Sequence, residues 1–225
     1  MAVNGATRLV VFDCDGTLVD SQHLIVEAMT RAFETADRVA PPAESIRRIV
    51  GLSLLHAMEV LAPEADRPAH EALVEGYREA FMEIRQRPDH TEVLYPGVHE
   101  TLAHLEGAGW LLGVATGKSL RGMHATIARH GLDGRFVTIQ TADIAPGKPH
   151  PGMLLQAMAE AGAAPETTVL VGDTSFDMEM ARNAGVPAVG VAWGYHPTEE
   201  LVQAGAHSVI ERFDELHGLV DVLVT

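Results

Sequence analysis

The sequence predicts an α/β protein in which a parallel sheet is covered by helices on both faces and interrupted near its N-terminus by an all-helical insertion. Two observations carry this reading. Short apolar runs alternate with helical patterns along most of the chain, and between Asp20 and Tyr95 those runs stop while apolar residues fall at helical spacing.

The first run, Leu9 to Phe12, is partly β-branched and ends in an acidic turn containing glycine, as a buried parallel strand does. Leu111 to Ala115, Phe136 to Ile139, Thr168 to Val171 and Ala188 to Ala192 read as further strands, with helical patterns such as Val98 to Leu105 and Pro151 to Ala161 between them. In the insertion the helical sets are Leu24, Ala28 and Ala32; Leu54, Met58 and Leu61; and Leu73, Tyr77 and Phe81. Pro41-Pro42, Pro63 and Pro68 punctuate it, and Pro88 and Pro96-Gly97 mark the return to the sheet. The expected division is a sheet domain over 1–19 and 93–225 with a helical domain over 20–92.

At 225 residues and 47% hydrophobic, the chain can bury a substantial core. Sixteen Lys and Arg against 31 Asp and Glu leave a formal charge of −15, which argues against binding nucleic acid or an anionic membrane through bulk electrostatics. The few cations of such a chain are therefore informative. Its one cysteine cannot form an internal disulfide, and no segment reaches the roughly 18 continuous apolar residues of a membrane span. A cytoplasmic protein, monomer or homodimer, without a membrane anchor is expected.

Ligands of open α/β sheets bind beyond the carboxyl ends of the strands, so the residues just after each strand matter most. Those ends carry Asp13-Cys14-Asp15-Gly16-Thr17, Thr116-Gly117-Lys118, Lys148-Pro149 and Gly172-Asp173-Thr174-Ser175-Phe176-Asp177. Two carboxylates one residue apart on extended backbone can face the same side, with Cys14 turned the other way into the core.

These four motifs, VVFDCDGTLVDS, VATG, GKPHP and GDTSFDM, resemble in content and order those of the haloacid dehalogenase superfamily, and the stretch YPGVHETLAHLEGAG is similar to its phosphoglycolate-phosphatase-like branch. The resemblance spans nearly the whole chain. It implies a doubly wound, Rossmann-like core with a helical cap, and a magnesium-dependent phosphatase of small phosphorylated metabolites. By the same resemblance Asp13 is the nucleophile and Asp15 the acid/base, while Lys148 neutralises nucleophile and phosphate. Gly16, Thr17, Thr116 and Gly117 bind the phosphoryl group. Mg2+ is held by Asp13, Asp173 and the backbone carbonyl of Asp15, with Asp177 completing the acidic cluster. The cap segment from Arg47 to Ser53 resembles a loop that leans over the site in such phosphatases, so Arg47 or Arg48 is a candidate reader of a substrate anion, although a solvated helix face explains both arginines equally well.

Taken singly, Thr116 fits a capping residue, Asp177 a charge at a helix N-terminus, and Cys14 a small buried hydrophobe. Gly117-Lys118-Ser119 is not the end of a nucleotide-binding P-loop, because Leu112 stands where that motif needs glycine. His150 reads as a solvated loop residue, and the twelve histidines show no zinc-ligand spacing. Three rival functions remain. A sugar phosphomutase of the same superfamily is disfavoured because Gly51-Leu52-Ser53 is followed by Leu54 rather than arginine; a dehalogenase lacks the second aspartate that Asp15 supplies; and a non-catalytic phospho-ligand binder would not need the intact acidic motifs.

Overall fold

The computed structural model describes residues 5–88 and 90–224. Six strands form one parallel sheet: β1 Thr7–Phe12, β4 Leu111–Thr116, β5 Phe136–Thr141, β6 Ala163–Gly172, β7 Ala188–Val191 and β8 Ser208–Ile210, in the order β5-β4-β1-β6-β7-β8. The chain winds outward from β1 in both directions, so β1 is central and buried on both faces. Its side chains alternate accordingly. Val10 and Phe12 pack on one side with α5 Val98–Gly107, α6 Leu120–His130 and α10 Leu216–Leu223, through residues such as Leu102, Ile127 and Val220. Leu9 and Val11 pack on the other with α7 Gly152–Ala161, α8 Ser175–Ala184 and α9 Thr198–Ala204, through Leu154, Met178 and Leu201. An apolar strand with no polar alternation is what two-sided burial requires.

The insertion contains α1 Gln22–Thr35, α2 Ala43–Arg47, α3 Leu54–Leu61 and α4 Arg67–Gln86. Ile25, Met29, Phe33, Ile46, Met58 and Leu73 form a second core, which Tyr195 and Phe176 join from the sheet side. α4 begins where a helix should: the Asp66 side chain accepts from Ala69 N at 3.0 Å, and Pro68 occupies the first turn. The two chain crossings pair with each other as a short antiparallel ribbon, β2 Val19–Asp20 with β3 Val93–Leu94. None of the described helices is long and apolar enough to cross a membrane.

Three elements differ from the sequence expectation. β8, one of the two edge strands, has three residues, and the β2/β3 ribbon has two per strand; both are too short to display a periodicity. α2 has five residues and carries Arg47 at its end.

The register sets the level of the strand ends. Phe12 lies opposite Val114 and Val171, so the chain leaves β1, β4 and β6 at one level and delivers Asp13, Thr116 and Asp173 to a common edge of the sheet.

Candidate active site

Asp13 is 1% exposed, and its Oδ1 receives Cys14 N at 2.6 Å and lies 2.8 Å from Lys148 Nζ. Its Oδ2 is buried with no hydrogen-bond donor among the described residues. Lys148, fully buried at its side chain, also lies 2.6 Å from Asp177 Oδ1. Burial disfavours its ammonium, yet the Asp13 and Asp177 carboxylates outweigh that cost and hold its pKa above the ordinary value.

Asp173 accepts the Thr17 hydroxyl at 2.8 Å and Tyr195 N at 2.9 Å. Asp177 caps α8 from within: its Oδ2 accepts Thr174 N at 3.1 Å and the Thr174 hydroxyl at 2.7 Å. One carboxylate oxygen from each of Asp13, Asp173 and Asp177 lies within 4.8 Å of the others. Burial, opposed by Lys148 and reinforced by Asp177, pushes the Asp13 carboxyl up to about 7. Burial with the charges of Asp13 and Asp177 pushes Asp173 well above the usual carboxylate range. Three buried carboxylates against one ammonium leave an excess of negative charge, and Asp13 keeps an unpartnered oxygen. That donor set fits a hard, oxygen-ligated cation such as Mg2+.

Asp15 shares the cavity lining with Asp13, while Cys14 points into the core, as the alternation of extended backbone demands. Burial and then the Asp15 charge raise the Cys14 thiol well above its ordinary value, so it is protonated and no nucleophile. Gly16 adopts φ +86°, and a Cβ there would come within 2.3 Å of Asp173 Oδ2; only glycine makes this turn.

Asp15 Oδ1 accepts the Ser21 hydroxyl at 2.5 Å and lies 2.9 Å from Lys118 Nζ, which in turn lies 3.8 Å from Glu92 Oε1. Glu92 is itself held by Arg85 at 3.0 Å and by the Thr126 hydroxyl at 3.3 Å. Burial opposes the Lys118 charge, but the Asp15 and Glu92 carboxylates raise its pKa overall. Ser21, Glu92 and the role of Lys118 escape sequence reasoning. Lys118 directly follows the second motif, the only signal available, while its partner Glu92 and Asp15's partner Ser21 come from the two chain crossings of the helical insertion.

The phosphate-binding candidates separate. Thr116 and Gly117 line the cavity, and Thr116 is 1% exposed. Gly117 is required by close approach, since a Cβ would meet Leu52 O at 2.7 Å. Gly16, Thr17 and Lys148 do not line the cavity; the Thr17 hydroxyl is committed to Asp173, and the Lys148 ammonium lies behind Asp13, between it and Asp177. The expectation for the insertion divides as well. Ile49, Val50, Gly51 and Leu52 lean over the strand ends and line the cavity, whereas Arg47 and Arg48 do not. Arg48 instead pairs with Glu200 at 2.8 Å on the outer surface, and its backbone carbonyl lies 3.2 Å from His196 Nε2. Arg48 is thereby turned outward, Arg47 is half-buried outside the cavity lining with no partner at its Nε among the described residues, and the apolar residues that follow face the cavity. His150 is exposed, with Nδ1 accepting from Gly152 N at 3.0 Å.

Buried carboxylates and a buried lysine gathered at the carboxyl edge of a parallel sheet, beneath a helical insertion, define the hydrolase class of α/β fold to which the motifs point. The chain belongs to the haloacid dehalogenase-like hydrolase family, whose model matches residues 10–191. It is 38% identical to the "Probable phosphatase IndB" of Dickeya dadantii, over 96% of this chain and 94% of that protein. It is 31% identical to a phosphoglycolate phosphatase of Mesorhizobium japonicum, over 92% of each. The crystal structure of a hydrolase from Pseudomonas syringae superposes with a TM-score of 0.86 at 27% identity, covering 97% of this chain and all of that one.

Proposed function

We propose that this protein is a magnesium-dependent phosphatase that hydrolyses a soluble phosphomonoester through an aspartyl-phosphate at Asp13. The observation that carries the reading is the Asp13 carboxylate itself: one oxygen bound by Lys148, the other unpartnered, at the edge where Asp15, Thr116 and Gly117 face the same cavity. The phosphatase names of the relatives agree with it.

In this reading Asp13, Asp173 and the Asp15 carbonyl hold Mg2+, with Asp177 beside them. When bound, the ion neutralises the phosphate and the carboxylates around it. The Asp13 carboxylate oxygen bonds to phosphorus as the bond from phosphorus to the leaving oxygen breaks, and the Asp15 carboxyl gives that oxygen its proton. Asp15, now ionised, takes a proton from water as the water attacks phosphorus, freeing inorganic phosphate and restoring Asp13. Lys148, the Thr116 hydroxyl and Gly117 N-H supply preorganised positive charge to the phosphoryl oxygens.

Phosphate release from a panel of phosphomonoesters tests this. Activity is expected with Mg2+, loss with chelator, and loss in Asp13→Asn with the fold retained, because the amide keeps the shape but is no carboxylate nucleophile. Full turnover by the chelated enzyme, or by homogeneous Asp13→Asn, excludes the mechanism. Formation of an isomeric phosphate ester without free phosphate assigns a mutase instead.

A further inference from the structure

We propose that the natural substrate carries a large, flat, apolar-faced leaving group that packs on Tyr77 and Phe81 of α4, rather than a compact two-carbon acid. This deepens the phosphatase reading and rests on it. The cavity that contains Asp13 and Asp15 has a volume of about 810 Å3. Its walls from the helical insertion are largely apolar, among them Ile25, Met29, Leu54, Tyr77, Phe81 and Met82. Pockets of this size and lining enclose most of the surface of a ring-sized ligand, with a few polar groups fixing its orientation. A two-carbon acid fills a small fraction of that space and leaves water against apolar walls.

The position of the wall matters more than the volume. The leaving oxygen takes its proton from Asp15, so the organic body begins there. Asp15 Oδ1 lies 2.9 Å from Lys118 Nζ, and that ammonium sits 5.4 Å from the centre of the Phe81 ring. Tyr77 lies beside Phe81, their ring centres 5.6 Å apart. Lys118 thus links Asp15 to an aromatic pair on the wall of the same cavity, within reach of a ring-sized body that extends past the ammonium.

The cations argue the same way. A compact carboxylate needs a desolvated positive partner close to the phosphate. Lys118 is already held by Asp15 and Glu92, and Arg85 is paired with Glu92. Arg78, Arg121 and Arg129, which also line the cavity, are exposed to solvent. Arg47 and Arg48 lie outside it.

The test compares 1-naphthylmethyl phosphate, ethyl phosphate and phosphoglycolate with Mg2+. All three release primary alcohols, so differences in kcat/KM report how the body is held rather than how well it leaves. The wild type is expected to favour the naphthylmethyl ester by at least about tenfold over both others. Phe81→Leu, which keeps bulk in the bundle, is expected to lower kcat/KM for that ester roughly three- to tenfold more than for ethyl phosphate. A wild type that prefers phosphoglycolate or treats all three alike overturns the proposal, as does a Phe81→Leu variant that loses equally on the naphthylmethyl and ethyl esters. If no ester is hydrolysed, the phosphatase reading fails, and calorimetry with naphthylmethylphosphonate and ethylphosphonate decides the pocket separately: binding at least about tenfold tighter for the first sustains it, and equal binding overturns it.

Discussion

A buried ion pair that loses one member leaves the other charge dry, and that cost commonly exceeds what the pair contributed. Lys118 is placed to show it. Its side chain is 7% exposed, and Asp15 and Glu92 both lean on its ammonium. Lys118→Met should therefore destabilise the fold by about 3–5 kcal/mol, measurable by denaturant unfolding. It should also leave Asp15 held by the Ser21 hydroxyl alone, free to turn away from the leaving oxygen. As a positioning effect, this should lower kcat on an alkyl phosphate by about 10²-fold, within the contribution of general acid catalysis, and much less on p-nitrophenyl phosphate, whose leaving group needs no proton. Equal losses on both substrates would show that Lys118 only supports the fold. At this scale the sequence displays the motif residues and hides their partners. Asp13, Asp15, Thr116, Lys148, Asp173 and Asp177 stand in recognisable strings, but Glu92 and Ser21 belong to no string. Glu92 is placed by Arg85 and by Thr126 of α6, and Ser21 by the return of the chain past Asp15 and Tyr195.

Between elements, the insertion meets the sheet domain through the loop after α2. The Arg48 carbonyl faces His196 Nε2, and His196 Nδ1 accepts Ser175 N at 3.1 Å, so this imidazole is neutral with its proton on Nε2. It is 4% exposed. Burial first, then the Arg48 charge, lowers its pKa, while the Arg48 carbonyl and the Glu200 and Asp177 carboxylates oppose the shift. A histidine with a depressed folded pKa binds fewer protons than it does unfolded, so its stabilisation is present above the ordinary value near 6.5 and is lost as pH falls below it. Protonating Nδ1 also deprives Ser175 N of its acceptor, at about 1–3 kcal/mol. His196→Asn keeps an acceptor near Nδ1 and cannot protonate, so its unfolding free energy should change less than that of the wild type between pH 8 and pH 5. Parallel profiles would show that other groups set the acid sensitivity. The long elements of this interface were legible, because four-residue β runs and helical sets such as Leu73, Tyr77 and Phe81 have time to show a period. α2, β8 and the β2/β3 ribbon do not, and the placement of Arg47 and Arg48 outside the cavity lining follows from α2.

Over the whole molecule, the parallel sheet aims its strand ends at one edge, and that edge gathers Asp13, Asp173 and Asp177 inside a chain of formal charge −15. The arrangement costs stability wherever the carboxylates are ionised without a counter-ion. Burial, opposed by Lys148 and reinforced by Asp177, lifts Asp13 to about 7, and burial with both neighbouring carboxylates lifts Asp173 well above its ordinary value. Groups raised in this way bind protons more tightly folded than unfolded, so the metal-free fold should lose stability as pH rises through about 7. A bound cation reverses that balance by taking the place of the proton. Mg2+ at 100 times its dissociation constant should add about 2.7 kcal/mol, or roughly 5–10 °C in Tm for a chain of this size. At a fixed Mg2+ concentration the increment should be larger at pH 8 than at pH 6, where protons compete for the same oxygens and weaken binding. Asp173→Asn separates this from a general salt effect. The amide can still accept Tyr195 N and face the Thr17 hydroxyl, and it removes one buried charge, so the metal-free variant should be at least as stable as the wild type at pH 8 while its Mg2+ increment falls close to zero. A full increment in Asp173→Asn, or none in the wild type, would show that the trio does not hold the ion.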